Sequence, residues 1–217
     1  MSKLTICCSY PRPPEDEAKS DGVWLKGHTG MSDPSASCYS EETKHRHADF
    51  GSITVLWSQP VAALQILSPD GKWRWVKHID NACVSLFRGS CARHGRLIFR
   101  SHQVINAGDS MEFLSGGHYK ATIHRVVLPP EDQQGYTRLG AFYFAIPDDS
   151  VKLAPLAESP VLQREGIKRR FDDEHTPTAE VWRKGRTAAY GKTELKKGQE
   201  NRVEEEYING VLVKHYN

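Results

Sequence analysis

Three short segments of this chain hold residues whose chemistry could combine. The first is His47-Ala48-Asp49, which runs into Phe50-Gly51-Ser52-Ile53-Thr54-Val55-Leu56. Residues i and i+2 of an extended segment face the same side, so an imidazole and a carboxylate can converge there. The second is His124, within Ile123-His124-Arg125-Val126-Val127. The third is Arg138, within Tyr136-Thr137-Arg138-Leu139-Gly140. Two imidazoles and one carboxylate on one face of a metal leave the other positions open, which suits non-haem ferrous oxygen chemistry. Taken singly, each residue also has an ordinary role open to it: a loop histidine, a turn aspartate, a core histidine, a surface arginine.

Rigid elements must bring such residues together. From Phe50 onward the runs SITVLW, VAALQIL, KWRWV, VINAGDSMEFL, YKATIHRVVL and LGAFYFAI alternate with turn signals such as Ser68-Pro69-Asp70-Gly71 and Ser115-Gly116-Gly117. β-branched and aromatic residues dominate these runs. That spacing predicts a mainly β fold, a double-stranded β-helix or jelly roll, with a further strand over residues 4–10. Past Pro147 the texture changes. Thr176-Pro177-Thr178-Ala179-Glu180 predicts a helix running toward Ala189. Residues 192–206 are rich in charge and are expected to be solvated. Asn209-Gly210, between apolar runs, predicts a two-residue hairpin. The expected organisation is a jelly-roll domain over 3–147 and a helix-and-hairpin extension over 148–217. His78, His118, His175 and His215 are expected in solvent, and Trp24, Trp57, Trp73 and Trp75 in packing.

Composition narrows the partners. The chain has 217 residues, 38% hydrophobic and 26% charged, which fits a globular protein rather than a disordered one. Lys+Arg 29 against Asp+Glu 27 leaves a net charge of +2, so no nucleic-acid partner is called for. No apolar run approaches the roughly 20 residues of a bilayer span, and no membrane partner is expected. The first residues do not read as a secretory signal. Five cysteines, an odd number, read as reduced thiols. The expected location is cytoplasmic.

The ordered set of motifs resembles the Fe(II)- and 2-oxoglutarate-dependent dioxygenases of the isopenicillin N synthase-like type. Within them it resembles the C-terminal jelly-roll half, with a fungal-type tail. The likeness is carried by HADFGSITVLW, VAALQILSPDGKWRWV, VINAGDSMEFLSGGHYKATIHRVV and Arg138-Leu139-Gly140, across most of residues 49–147. It implies His47, Asp49 and His124 as ligands of Fe(II), with no catalytic residue beyond the metal site. It implies that Arg138 pairs with the far carboxylate of 2-oxoglutarate, a match for its planar fork, and that Tyr10 is a second contact to this cosubstrate. Decarboxylation of 2-oxoglutarate would be coupled, with O2, to oxidation of a small organic substrate. The family carries Ser or Thr two residues after the arginine. Gly140 stands there in this chain, which removes one hydroxyl hydrogen bond worth about 1 kcal/mol.

Two stretches depart from the family pattern. Its first motif reads His-Thr-Asp followed by Phe or Tyr and Gly, whereas here residues 30–48 separate His28-Thr29 from Asp49-Phe50-Gly51. Residues 84–103 likewise separate Ala82-Cys83 from Val104-Ile105. Both stretches are read as intron-derived inserts, because removing them restores the family's continuity. On that reading His28 is the rival of His47 for the first ligand position. The alternative to an active oxidoreductase is an inactive metal-binding jelly-roll fragment from a truncated or mis-spliced gene.

Overall fold

A computed structural model describes residues 2–9, 23–28, 49–80, 83–85, 103–169, 171–172, 174–189, 196–198 and 203–216. Tyr10, His47 and the body of both proposed inserts lie outside these residues. The described residues form two β-sheets. The first holds five strands in the order β1 (Ser2–Ser9), β9 (Arg138–Ala145), β3 (Ile53–Trp57), β7 (Gln103–Ala107) and β6 (Cys83–Ser85). The second holds seven: β10 (Lys196–Lys197), β11 (Val203–Ile208), β12 (Val211–Tyr216), β2 (Val23–His28), β8 (His124–Val127), β4 (Leu64–Leu67) and β5 (Trp73–Trp75). All pairings are antiparallel except β6 with β7. This is the mainly β jelly roll that the strand spacing predicts.

Alternation explains how the strands face. In β3, Thr54 and Leu56 are buried while Trp57 is exposed. In β9, Arg138, Gly140 and Phe144 are buried, and Leu139 and Tyr143 face solvent. The core joins both sheets and the C-terminal part. Phe144 of β9 lies in one apolar cluster with Phe50, Phe113, Leu153, Trp182 and Val213. Among the described residues no helix is long and apolar enough to cross a membrane.

The expected helix is present as α3 (Ala179–Ala189), after α1 (Asp109–Leu114) and α2 (Pro160–Glu165). Ala179, Trp182 and Arg186 are buried, at the three- and four-residue spacing of one helix face. The Asn-Gly hairpin also forms. Asn209 at φ 49° and Gly210 at φ 78° supply the two positive φ angles of a type I′ turn.

Three expectations are corrected. VINAGDSMEFL does not form one extended run, because the strand ends at Ala107 and α1 begins at Asp109. Asp109 and Glu112 in the first turn favour a helix N-terminus, and Met111, Glu112 and Leu114 are strong helix formers. Within the charge-rich stretch Lys196 and Lys197 are exposed as expected, but Val203 and Glu206 are buried, as is His215. Glu206 and His215 are buried and joined Oε1 to Nε2 at 2.7 Å across β11 and β12. A charged run therefore contributes its carboxylate to an interior pair, which is how a charged group becomes tolerable there. Trp57 and Trp75 are exposed rather than packed.

Candidate metal centre

Asp49, in the segment leading into β3 of the first sheet, and His124, in β8 of the second, bring their side chains together. Asp49 precedes β3 and is 5% exposed. Its Oδ2 lies 3.5 Å from Nε2 of His124, the first residue of β8. Nδ1 of His124 lies 2.9 Å from the carbonyl oxygen of Thr122. A carbonyl only accepts, so Nδ1 carries a proton and Nε2 is the ring nitrogen turned toward Asp49. An imidazole nitrogen and a carboxylate oxygen thus face one another, the two donor types that can hold a cation between them. Fixing a histidine ligand through its second nitrogen is how metal sites set tautomer and ring orientation.

The Asp49 carboxylate is itself held. Asn106 Nδ2 donates to Oδ2 at 2.7 Å, and the Thr54 hydroxyl is a second hydrogen-bond partner. Thr54 and Asn106 are directly opposed in the β3–β7 ladder, so one cross-strand pair presents both groups. Burial pushes the Asp49 carboxyl above its ordinary range, and the nearby Asp109 charge adds to the push. His124, Asn106 and Thr54 oppose it.

The backbone of Asp49 is strapped as well. The Asp109 amide donates to the Asp49 carbonyl at 3.1 Å, Gly108 to Ser52 at 3.0 Å and Ser110 to Gly51 at 3.1 Å. The Ser110 hydroxyl donates to the Phe50 carbonyl at 2.6 Å. Gly108 permits this approach. A Cβ at that position would lie 2.7 Å from the Asp49 carbonyl oxygen and closer still to that of Gly51. Here glycine serves close backbone approach rather than an unusual φ.

His124 is held differently, by a ladder. Its Cα is opposed by that of Ile66 in β4 on one side and by that of His28 in β2 on the other. Next to it, Arg125 Nε donates to Gln65 Oε1 at 2.8 Å, and its guanidinium lies 4.1 Å from the Trp73 ring centroid.

Of the other expected site residues, Arg138 opens β9 and is buried, on the same face as Gly140 and Phe144. Tyr10 and His47 lie outside the described residues. His28 ends β2, one strand from His124. Among the described residues no group of three or more His, Cys, Asp or Glu side chains comes together. Asn106 and Thr54 were not singled out in the sequence. The available signal was a polar residue at an inward position of an apolar strand, which is costly unless it has a partner.

A family profile described as the 2OG-Fe(II) oxygenase superfamily matches residues 3–147. The 2-oxoglutarate-dependent dioxygenase iboH of Amanita muscaria is 36% identical over 109 residues, covering 49% of this chain and 43% of the relative. Scopoletin 8-hydroxylase of Arabidopsis thaliana is 31% identical over 124 residues, covering 57% and 28% respectively. The chain thus spans less than half the length of either relative. Among solved structures, a full-length Neurospora crassa protein crystallised in complex with alpha-KG shares the fold. The TM-score is 0.54 at 21% identity, covering 87% of this chain and 44% of that one.

Proposed function

The chain belongs to the 2OG-Fe(II) oxygenase superfamily, and from that premise we propose that it is a non-haem Fe(II)- and 2-oxoglutarate-dependent oxidoreductase acting on a small organic molecule in the cytoplasm. The observation that carries the proposal is the 3.5 Å approach of Asp49 Oδ2 to His124 Nε2, with Nδ1 of that ring committed to the Thr122 carbonyl. An imidazole nitrogen and a carboxylate oxygen form a donor set that suits ferrous iron. Bound there, the iron would supply the O2 chemistry that couples keto-acid decarboxylation to substrate oxidation.

The chain's own residues would do the positioning. Asn106 and Thr54 fix the Asp49 carboxylate, and Thr122 fixes the His124 ring. Arg138 would pair with the far carboxylate of 2-oxoglutarate through two parallel N–H donors, with Tyr10 as a second contact. For the third ligand, the β2–β8 register supports His28 over His47, because His28 is already in line with His124. The small-molecule substrate class is drawn from relatives whose names describe dioxygenases and a scopoletin hydroxylase.

Anaerobic titration of the whole chain with Fe(II) and 2-oxoglutarate tests the proposal. A weak visible charge-transfer band is expected, with succinate released when air is admitted. A folded chain that gives neither would support the inactive metal-binding fragment instead.

A further inference from the structure

The family profile ends at residue 147, yet two side chains beyond it reach back to Asp109, whose amide holds the Asp49 carbonyl. In α3, Trp182 and Arg186 are four residues apart and share one face. Trp182 is 1% exposed and Arg186 5%. Trp182 Nε1 donates to Asp109 Oδ2 at 3.3 Å, and Arg186 Nε forms an ion pair with the same oxygen at 3.5 Å. Phe113 stacks edge-on against Trp182 with centroids 5.1 Å apart, which closes the cluster on the α1 side. A buried carboxylate placed against an indole N–H and a guanidinium gives up a hydrogen bond and an ion pair if it shifts.

Asp109 is also the residue whose amide holds the Asp49 carbonyl at 3.1 Å. Its side chain answers to α3 and its backbone to Asp49. We propose that Arg186 and Trp182 are positioning residues of the iron site, acting through Asp109 to fix the backbone from which the Asp49 carboxylate projects. The role rests on the iron-site reading above. It gives the C-terminal extension a function in holding metal, and it makes a helix outside the family match part of the support of the centre.

The test uses the full chain and Co(II) as a visible probe of ligand geometry, with amide hydrogen exchange of the metal-free protein as a second readout. Arg186→Met keeps bulk and removes the charge, Arg186→Lys restores the charge, and Trp182→Phe keeps the ring and removes the N–H. In Arg186→Met the Co(II) dissociation constant should rise about tenfold or more, with altered d–d band intensities. Arg186→Lys should recover part of both, and Trp182→Phe should fall between. Without metal, the amides of Gly108, Asp109 and Ser110 should exchange faster in Arg186→Met, while those of the β3–β9 ladder keep their protection. Unchanged affinity and band shape in Arg186→Met, alongside a lowered Tm, would reduce the cluster to a structural role and overturn the proposal. Unchanged exchange at residues 108–110 would overturn the mechanical link by itself. A parent chain with no Co(II) bands would overturn the iron-site reading, and the exchange data would still decide whether the link exists.

Discussion

Asp49 and His124 stand 3.5 Å apart but are held by different kinds of structure. His124 sits in a β ladder between Ile66 and His28, in continuous register with β4 and across register shifts with β2. Asp49 lies outside every strand. Its backbone hangs on the Gly108–Ser110 turn, and its carboxylate on Asn106 and Thr54. A ladder spreads a disturbance over many similar bonds, whereas a strap concentrates it in a few. The Asp49 side should therefore be the fragile one, with small changes at a distance felt at the metal.

Gly108→Ala is the strongest way to break that contrast. The added Cβ would strike the carbonyl oxygens of Asp49 and Gly51, and backbone atoms have little room to give. Stability should fall by about 1–3 kcal/mol, read as a lower Tm, with metal affinity falling further than stability alone explains. Asn106→Ala comes next. It removes the 2.7 Å donor to Asp49, and metal affinity should drop about tenfold to a hundredfold with a smaller change in Tm; calorimetric titration reads both.

A pH series sharpens the same point. Burial raises the Asp49 carboxyl above its ordinary value of 3.8, so the folded chain binds this proton more tightly than the unfolded chain does. Metal-free stability contributed by Asp49 should therefore be greatest at low pH and decline as pH rises through the elevated value. Metal affinity should climb over the same interval, because the metal displaces that proton. Chemical denaturation and metal titration at matched pH check the two opposite slopes. The smallest effect is expected on the ladder side. Gln65→Ala removes the acceptor for Arg125 next to His124, and it should cost about 1 kcal/mol or less with metal affinity unchanged.

The same contrast explains what the sequence disclosed. Strands β3, β4, β5 and β9, the helix over Ala179–Ala189 and the Asn-Gly hairpin all follow from local pattern: alternation, a proline-led helix start and turn chemistry. The family motif pointed to Asp49, His124 and Arg138. Asn106, Asp109 and Arg186 are not legible as supports, because each works through a partner distant in sequence that no periodicity announces; Thr54, close to Asp49 in sequence, carries no motif that marks its hydroxyl. Asn106 bonds a residue 57 positions away, and Trp182 one 73 positions away. Glu206 and His215, nine residues apart, escape the sequence for a different reason. Composition marks them polar, and only the register of β11 against β12 brings them together in the interior.

The most direct measurement is anaerobic equilibrium dialysis of the whole chain against Fe(II), with bound iron quantified for the parent, Asp49→Ala and His124→Ala. One iron per parent chain, lost in both variants while their far-UV spectra stay those of the folded protein, is the expected result. Iron retained equally by all three would mean that this pair of side chains does not form the centre.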